Sequence, residues 1–167
     1  MPALRRGNQD MNYIYHYHSP MGPLTLESDG QCLVGIHLPG SAPPTDASAK
    51  QAASSDLFAA AVSQLDAYFA GKRTTFELKL APRGTAFQMR VWELLKAIPH
   101  GETISYGELA RRAGNPAAAR AVGAANGRNP LPIVIPCHRV IGADGKMIGY
   151  GGGLSIKRAL LRLEGSL

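Results

Sequence analysis

The sequence predicts an α/β chain of the α+β kind: a small N-terminal lobe of strands with one helix, joined to a mainly helical C-terminal domain. Three observations carry this. Residues 11–38 alternate with period two, Phe58, Val62, Leu65 and Phe69 recur at helical spacing, and from Thr85 onward short helices with clear start signals follow one another. A length of 167 residues with 45% apolar composition allows a packed domain with a small lobe attached and argues against general disorder. The divisions read as 1–10 tail, 11–81 small lobe and 82–167 C-terminal domain.

Residues 1–10, MPALRRGNQD, read as a flexible tail, basic but without the apolar stretch of a secretory signal. Tyr13, Tyr15 and Tyr17 then alternate with Ile14, His16 and His18, as in a half-buried strand. SPMGP and SDGQ break the run into a meander with strands at Leu24–Ser28 and Cys32–Leu38. PGSAPPTDASAKQAASS, residues 39–55, has small residues and no period, and reads as a linker. The helix carrying Phe58 closes at Gly71, and TTFELKL reads as one more strand of the small lobe.

In the C-terminal part, TAFQ and SYGE fit the capping box, with Thr85 or Ser105 as cap and Gln88 or Glu108 reaching back. Phe87, Val91, Leu94, Leu95 and Ile98 make the buried stripe of the first helix, which stops at Pro99 and Gly101. The second helix spans about 105–113 and ends at Gly114. Asn115 caps a third, with Pro116 at its first position, where the missing donor costs nothing. That helix, AAARAVGAAN, is almost all small, so another backbone can come close. IVIPC reads as a buried strand, and SIKRALLRLEG as a last amphipathic helix with Ile156, Leu160 and Leu163 inward.

Lys and Arg outnumber Asp and Glu by 18 to 12, giving +6 and a pI of 9.6, a balance that suits a polyanionic partner. Two cysteines, Cys32 and Cys137, exclude a disulfide framework and suit a reducing compartment. No apolar stretch reaches the length of a membrane span, so the expectation is a soluble, cytoplasmic protein. Two short helices joined by GNP read either as a helix-turn-helix with Arg120 on its second helix or as an ordinary helical hairpin. One long cation among alanines suits a narrow groove or the base stack better than base edges in the major groove.

Cys137 beside His138 is either a nucleophile or a small buried hydrophobe with polar neighbours. A thiol is about 3% ionised at neutral pH, so a base can raise the thiolate fraction by at most about thirtyfold, and positioning must supply the rest. On an extended chain the two side chains would point apart, leaving a bend or a bridging water as the route between them. GYGGGLS at 149–155 reads either as a pocket where backbone donors approach a ligand, with Tyr150 as a wall, or as a flexible turn. Glu164, near a helix C-terminus, is either solvated or held to orient a histidine. His16 and His18 share a strand face, but Cys32 and His37 fall on opposite faces of a regular strand, which argues against a metal site.

Taken together, IPCHRV, the preceding AARAVGAANGRNPLPIV, and the following GYGGGL and LLRLEG resemble the O6-alkylguanine-DNA alkyltransferases, also called methylated-DNA–protein-cysteine methyltransferases. The resemblance covers Thr85–Leu167, and SPMGPLTL with its strands fits the family's RNase H-like N-terminal lobe. It implies that Cys137 accepts the alkyl group from O6 of guanine, that His138 is its base through a water, and that Glu164 holds the useful tautomer. Asn129 would brace the turn, and Tyr106 would press on the phosphate and protonate the leaving guanine. Arg120 would fill the gap left by a flipped base, with Ala119 and Gly123 in the minor groove and Gly107, Asn115 and Arg128 on the DNA backbone. Tyr150, Gly151 and Gly152 would line the base pocket, with the carbonyls of Cys137 and Val140 reading the exocyclic amine.

The same resemblance implies no cofactor and no metal, and a partner that is double-stranded DNA bearing O6-alkylguanine, with O4-alkylthymine a second lesion. It implies a monomer in solution, with cooperative assembly on DNA compatible. The thioether product would be final, so the protein would react once. Gly151 stands where some members carry serine, NGRNP moves a charge to Arg128, and the small-lobe cysteine and histidines do not align with the zinc ligands of zinc-bearing members. The competing readings are a non-catalytic sensor of alkylated bases, against which Cys137 itself argues, and a Cys–His hydrolase.

Overall fold

The computed structural model describes residues 12–41, 50–51 and 56–167. The expected tail at 1–10 and most of the expected linker at 39–55 lie outside them. The small lobe is a four-stranded sheet in the order β3-β2-β1-β4. Strands β1 (Tyr13–Ser19), β2 (Gly22–Ser28) and β3 (Leu33–His37) form the antiparallel meander. A two-residue strand β4 (Lys50–Gln51), within the expected linker, adds parallel to β1. One face is buried through Tyr17, Leu24, Leu26 and Leu33.

Helix α1 (Asp56–Phe69) covers that face, burying Phe58, Ala61, Leu65 and Tyr68. Phe58 stacks on Tyr15 with ring centroids 5.7 Å apart, and the Tyr17 hydroxyl donates to Asp66 at 2.6 Å. Gly71 ends the helix at φ 71°, a left-handed conformation open to glycine. The next segment differs from expectation. TTFELKL bends at Thr74 and Thr75 and forms no ladder. Gln64 bonds the backbone of Glu77 on both sides, at 2.8 and 2.9 Å, in place of a neighbouring strand. Only Leu80 bridges the sheet, beside Leu33.

The C-terminal domain begins with α2 (Ala86–Lys96), where the Thr85–Gln88 capping box is complete. Its buried face is Val91, Trp92 and Leu95, with Ile98 beyond; Phe87 is 40% exposed and Leu94 half-buried. The stripe is thus turned toward Trp92, whose indole donates to the Ala125 carbonyl at 2.9 Å. Helix α3 (Tyr106–Arg112) is capped by Ser105, but Glu108 does not reach back. Its carboxylate is taken by Arg111 and Arg112 one turn on, a pairing open to an exposed acid at i,i+3 and i,i+4.

Helix α4 (Ala119–Gly127) starts later than expected, with Ala118 at the N-cap position and no side-chain cap. Asn115 instead closes a turn onto Ala117 N at 3.0 Å, so Asn115 and Pro116 belong to the connection between α3 and α4. Strands β5 (Ile104–Ser105) and β6 (Val140–Ile141) pair in parallel beneath these helices. In α5 (Leu154–Leu163) the buried residues are Lys157, Leu160 and Leu161, while Ile156 and Leu163 are partly buried. No helix among the described residues is long and apolar enough to cross a membrane.

Candidate active site

The segment between α4 and β6 is not a strand. Pro130, Pro132 and Pro136 remove backbone donors from it, so a ladder cannot form. Ile133 sits at φ 75°, a strained region for a β-branched residue. The Asn129 side chain supplies the missing pairing: its amide donates to the Ile135 carbonyl at 2.7 Å and its oxygen accepts from Leu131 N at 3.0 Å. The turn delivers Cys137 into a single 3-10 turn, Cys137–Arg139. That curvature removes the objection raised by an extended chain, since adjacent side chains need no longer point to opposite sides.

The last two residues of this turn enter a buried charged cluster. His138 Nε2 lies 2.8 Å from Glu164 Oε1. Arg139 donates to Glu164 Oε2 at 2.8 Å and Oε1 at 2.9 Å, and to the Ile98 carbonyl at 2.6 Å. The Tyr68 hydroxyl, from α1 of the small lobe, donates to the same Oε1 at 2.7 Å. These donors hold the Glu164 carboxyl far below the usual carboxylate range although it is buried. An ionised Glu164 only accepts, so Nε2 of His138 carries the proton and Nδ1 is a bare base. Burial keeps the ring neutral by lowering its pKa. Nδ1 is buried and has no hydrogen-bond partner among the described residues.

Cys137 lies on the wall of a cavity of about 640 Å³ between the lobes. Burial raises its thiol pKa, while the Asn129 amide, the Lys157 ammonium and the Tyr150 hydroxyl oppose that rise. The thiol therefore starts less ionised than a free one, and its proton has to be removed. Lys157 is fully buried, with Nζ donating to the Val140 carbonyl at 2.6 Å and the Ile148 carbonyl at 3.1 Å. It pins the Gly-rich loop over the turn that bears the cysteine.

Of the residues singled out in the sequence, Cys137, Asn129, Tyr106, Ala119, Gly123, Tyr150 and Gly151 share the cavity wall. The Tyr106 hydroxyl donates to the Ile148 carbonyl at 3.1 Å, and burial keeps it protonated. His138 and Glu164 stand behind Cys137. Arg120, Gly107, Asn115 and Arg128 are exposed and lie outside the cavity lining. Val140 is buried, and its carbonyl already accepts from Lys157. Gly152 does not line the cavity either: a Cβ there would meet Leu38 of the small lobe at 2.8 Å, so the close approach is to the protein's own chain.

Sequence reasoning missed Tyr68, Arg139, Lys157 and Asn126, whose amide lies 3.3 Å from the Cys137 carbonyl. One signal was available. Lys157, Leu160, Leu161 and Glu164 recur at i, i+3, i+4 and i+7, so a face turned by one residue from the apolar stripe carries both charges inward.

Two family models match the chain: the 6-O-methylguanine DNA methyltransferase ribonuclease-like domain over residues 12–82, and the DNA-binding domain of the same family over 86–166. A methylated-DNA–protein-cysteine methyltransferase of Methanosarcina acetivorans is 49% identical over 92% of this chain and 99% of its own length. One of Mycobacterium tuberculosis is 53% identical over 92% and 94%. The crystal structure of the Mycobacterium tuberculosis O6-methylguanine methyltransferase superposes with a TM-score of 0.86 at 52% identity, over 93% and 94% of the two chains. That of Mycobacterium tuberculosis OGT in complex with DNA gives 0.84 at 51%, over 93% of each.

Proposed function

Because the chain belongs to the methylated-DNA–protein-cysteine methyltransferases, enzymes that repair alkylated DNA, we propose that Cys137 is its alkyl acceptor and His138 its base. The observation that carries this is a buried thiol on a cavity wall, followed at once by an imidazole locked through Nε2 on Glu164 with Nδ1 left bare. A water between the thiol and Nδ1 would pass the proton from Sγ to His138. The thiolate then attacks the alkyl carbon. The S–C bond forms as the C–O6 bond breaks, and the guanine leaves with its electron pair.

Tyr106, kept as a phenol by burial, supplies the proton the leaving base takes up. Glu164 stabilises the imidazolium, as the acid does in hydrolytic triads. Because burial raises the thiol pKa, a base contributes more here than the thirtyfold limit of a free thiol. A thioether is a stable product, so each molecule reacts once.

Base extrusion supplies the substrate. A guanine cannot present its alkyl carbon to the cavity from within the duplex, and extrusion costs a few kcal/mol. Exposed Arg120 on small-residue α4 is suited to hold the stack open, with Ala119 and Gly123 admitting the minor groove. Gly107, Asn115 and Arg128 then serve the DNA backbone, and Tyr150 and Gly151 the base. O4-alkylthymine, carrying the same reactive C–O bond, is a second substrate. Incubation with duplex DNA bearing labelled O6-methylguanine tests the reading. One label per protein is expected, and none for Cys137→Ala, which should still bind DNA. Repeated turnover, or transfer without Cys137, overturns it.

A further inference from the structure

We propose that Tyr68, a residue of the small lobe, is a positioning residue for the transfer, holding Glu164 and setting how strongly that carboxylate draws on His138. The inference rests on His138 being the base. It starts from an imbalance on the carboxylate. Oε1 receives three donors: Tyr68 at 2.7 Å, His138 at 2.8 Å and Arg139 at 2.9 Å. Among the described residues, Oε2 receives Arg139 alone. One carboxylate oxygen has two lone pairs, so three donors compete for it, and each weakens the hold of the others.

The hydroxyl is not needed for packing. The Tyr68 ring meets Phe69 and Phe76 at 5.3 and 5.4 Å and the edge of His100 at 6.3 Å, contacts a phenylalanine would keep. What the phenol adds is a neutral donor, buried and aimed across the lobe boundary at the acid that orients the base. The titratable and charged groups facing this centre are Tyr68 from α1 and His100 from the turn after α2. Cys137, His138 and Arg139 come from the 3-10 turn, Tyr150 from the Gly-rich loop, and Lys157 and Glu164 from α5. Of the three residues donating to Oε1, Tyr68 is the one that is neither the base nor a cation.

The sign follows. Without the hydroxyl, Glu164 stays ionised on Arg139 but shares its charge less, so the imidazolium is favoured and His138 binds its proton at higher pH. The acid limb of the single-turnover rate should move up by roughly half a pH unit in Tyr68→Phe. Placing 3-fluorotyrosine at position 68, a stronger donor of the same shape, should move it down. Titration of the His138 imidazole by NMR should shift the same way in each protein.

A role confined to joining the lobes would lower thermal stability and leave both titrations where they were. Unchanged acid limbs in both variants, while the wild type still methylates Cys137, overturn the proposal alone. If Tyr68→Phe does not fold, the fluorotyrosine protein decides. A wild type that leaves Cys137 unmodified sinks the reading beneath it instead.

Discussion

At the scale of single residues, the decisive feature is a neutral imidazole and an ionised carboxylate buried 2.8 Å apart. Both were singled out in the sequence, but their states follow only from the donors around them. These states set a pH dependence of stability. Burial lowers the His138 pKa below the ordinary histidine value of 6.5, so as pH falls through about 6.5 the unfolded chain takes up a proton that the fold refuses. Glu164 is depressed from 4.5, so its stabilisation is present above that value and is lost as pH falls further. The urea midpoint should therefore decline in two stages, first below about pH 6.5 and more steeply below 4.5. A midpoint that stays level from pH 7 to 5 would show that His138 takes up its proton as readily in the fold as in the unfolded chain.

At the scale of elements, the two start signals at Thr85 and Ser105 were legible because capping is local chemistry, and both caps are present. What local chemistry could not show was competition. Glu108 turned to two arginines, TTFELKL lost its ladder to a glutamine side chain, and three prolines with Asn129 converted an expected strand into the turn that carries Cys137. Gly84 is another such case. A Cβ there would meet the Trp92 ring at 2.5 Å and the capping oxygen of Gln88 at 2.7 Å. Gly84→Ala should lower stability by about 1–3 kcal/mol in urea unfolding, whereas an unchanged midpoint would mean that the cap and indole yield freely. Arg120, exposed at the start of α4, belongs to this scale as well. Arg120→Ala should slow repair of duplex DNA at least tenfold more than dealkylation of free O6-methylguanine base, a gap of about 1.4 kcal/mol; equal losses would remove it from base extrusion.

At the scale of the whole molecule, the sequence placed all the chemistry in the C-terminal half, and the structure divides it. Strand β3 bonds the active-site turn directly, Ile36 N to the Pro130 carbonyl at 2.9 Å. Its Val34 and Ile36, with Leu38 just beyond it, share the cavity wall with Cys137, while Tyr68 reaches Glu164 from behind. None of these contacts has a sequence signal, because each joins residues that are far apart in the chain and meet only on folding. The cavity is thus a property of both lobes. The most direct measurement is peptide mass mapping after incubation with duplex DNA carrying O6-methylguanine. The peptide bearing Cys137 should come back heavier by one methylene, in proportion to the lesion consumed and with Cys32 untouched. An unmodified Cys137 peptide alongside repaired DNA would contradict the account.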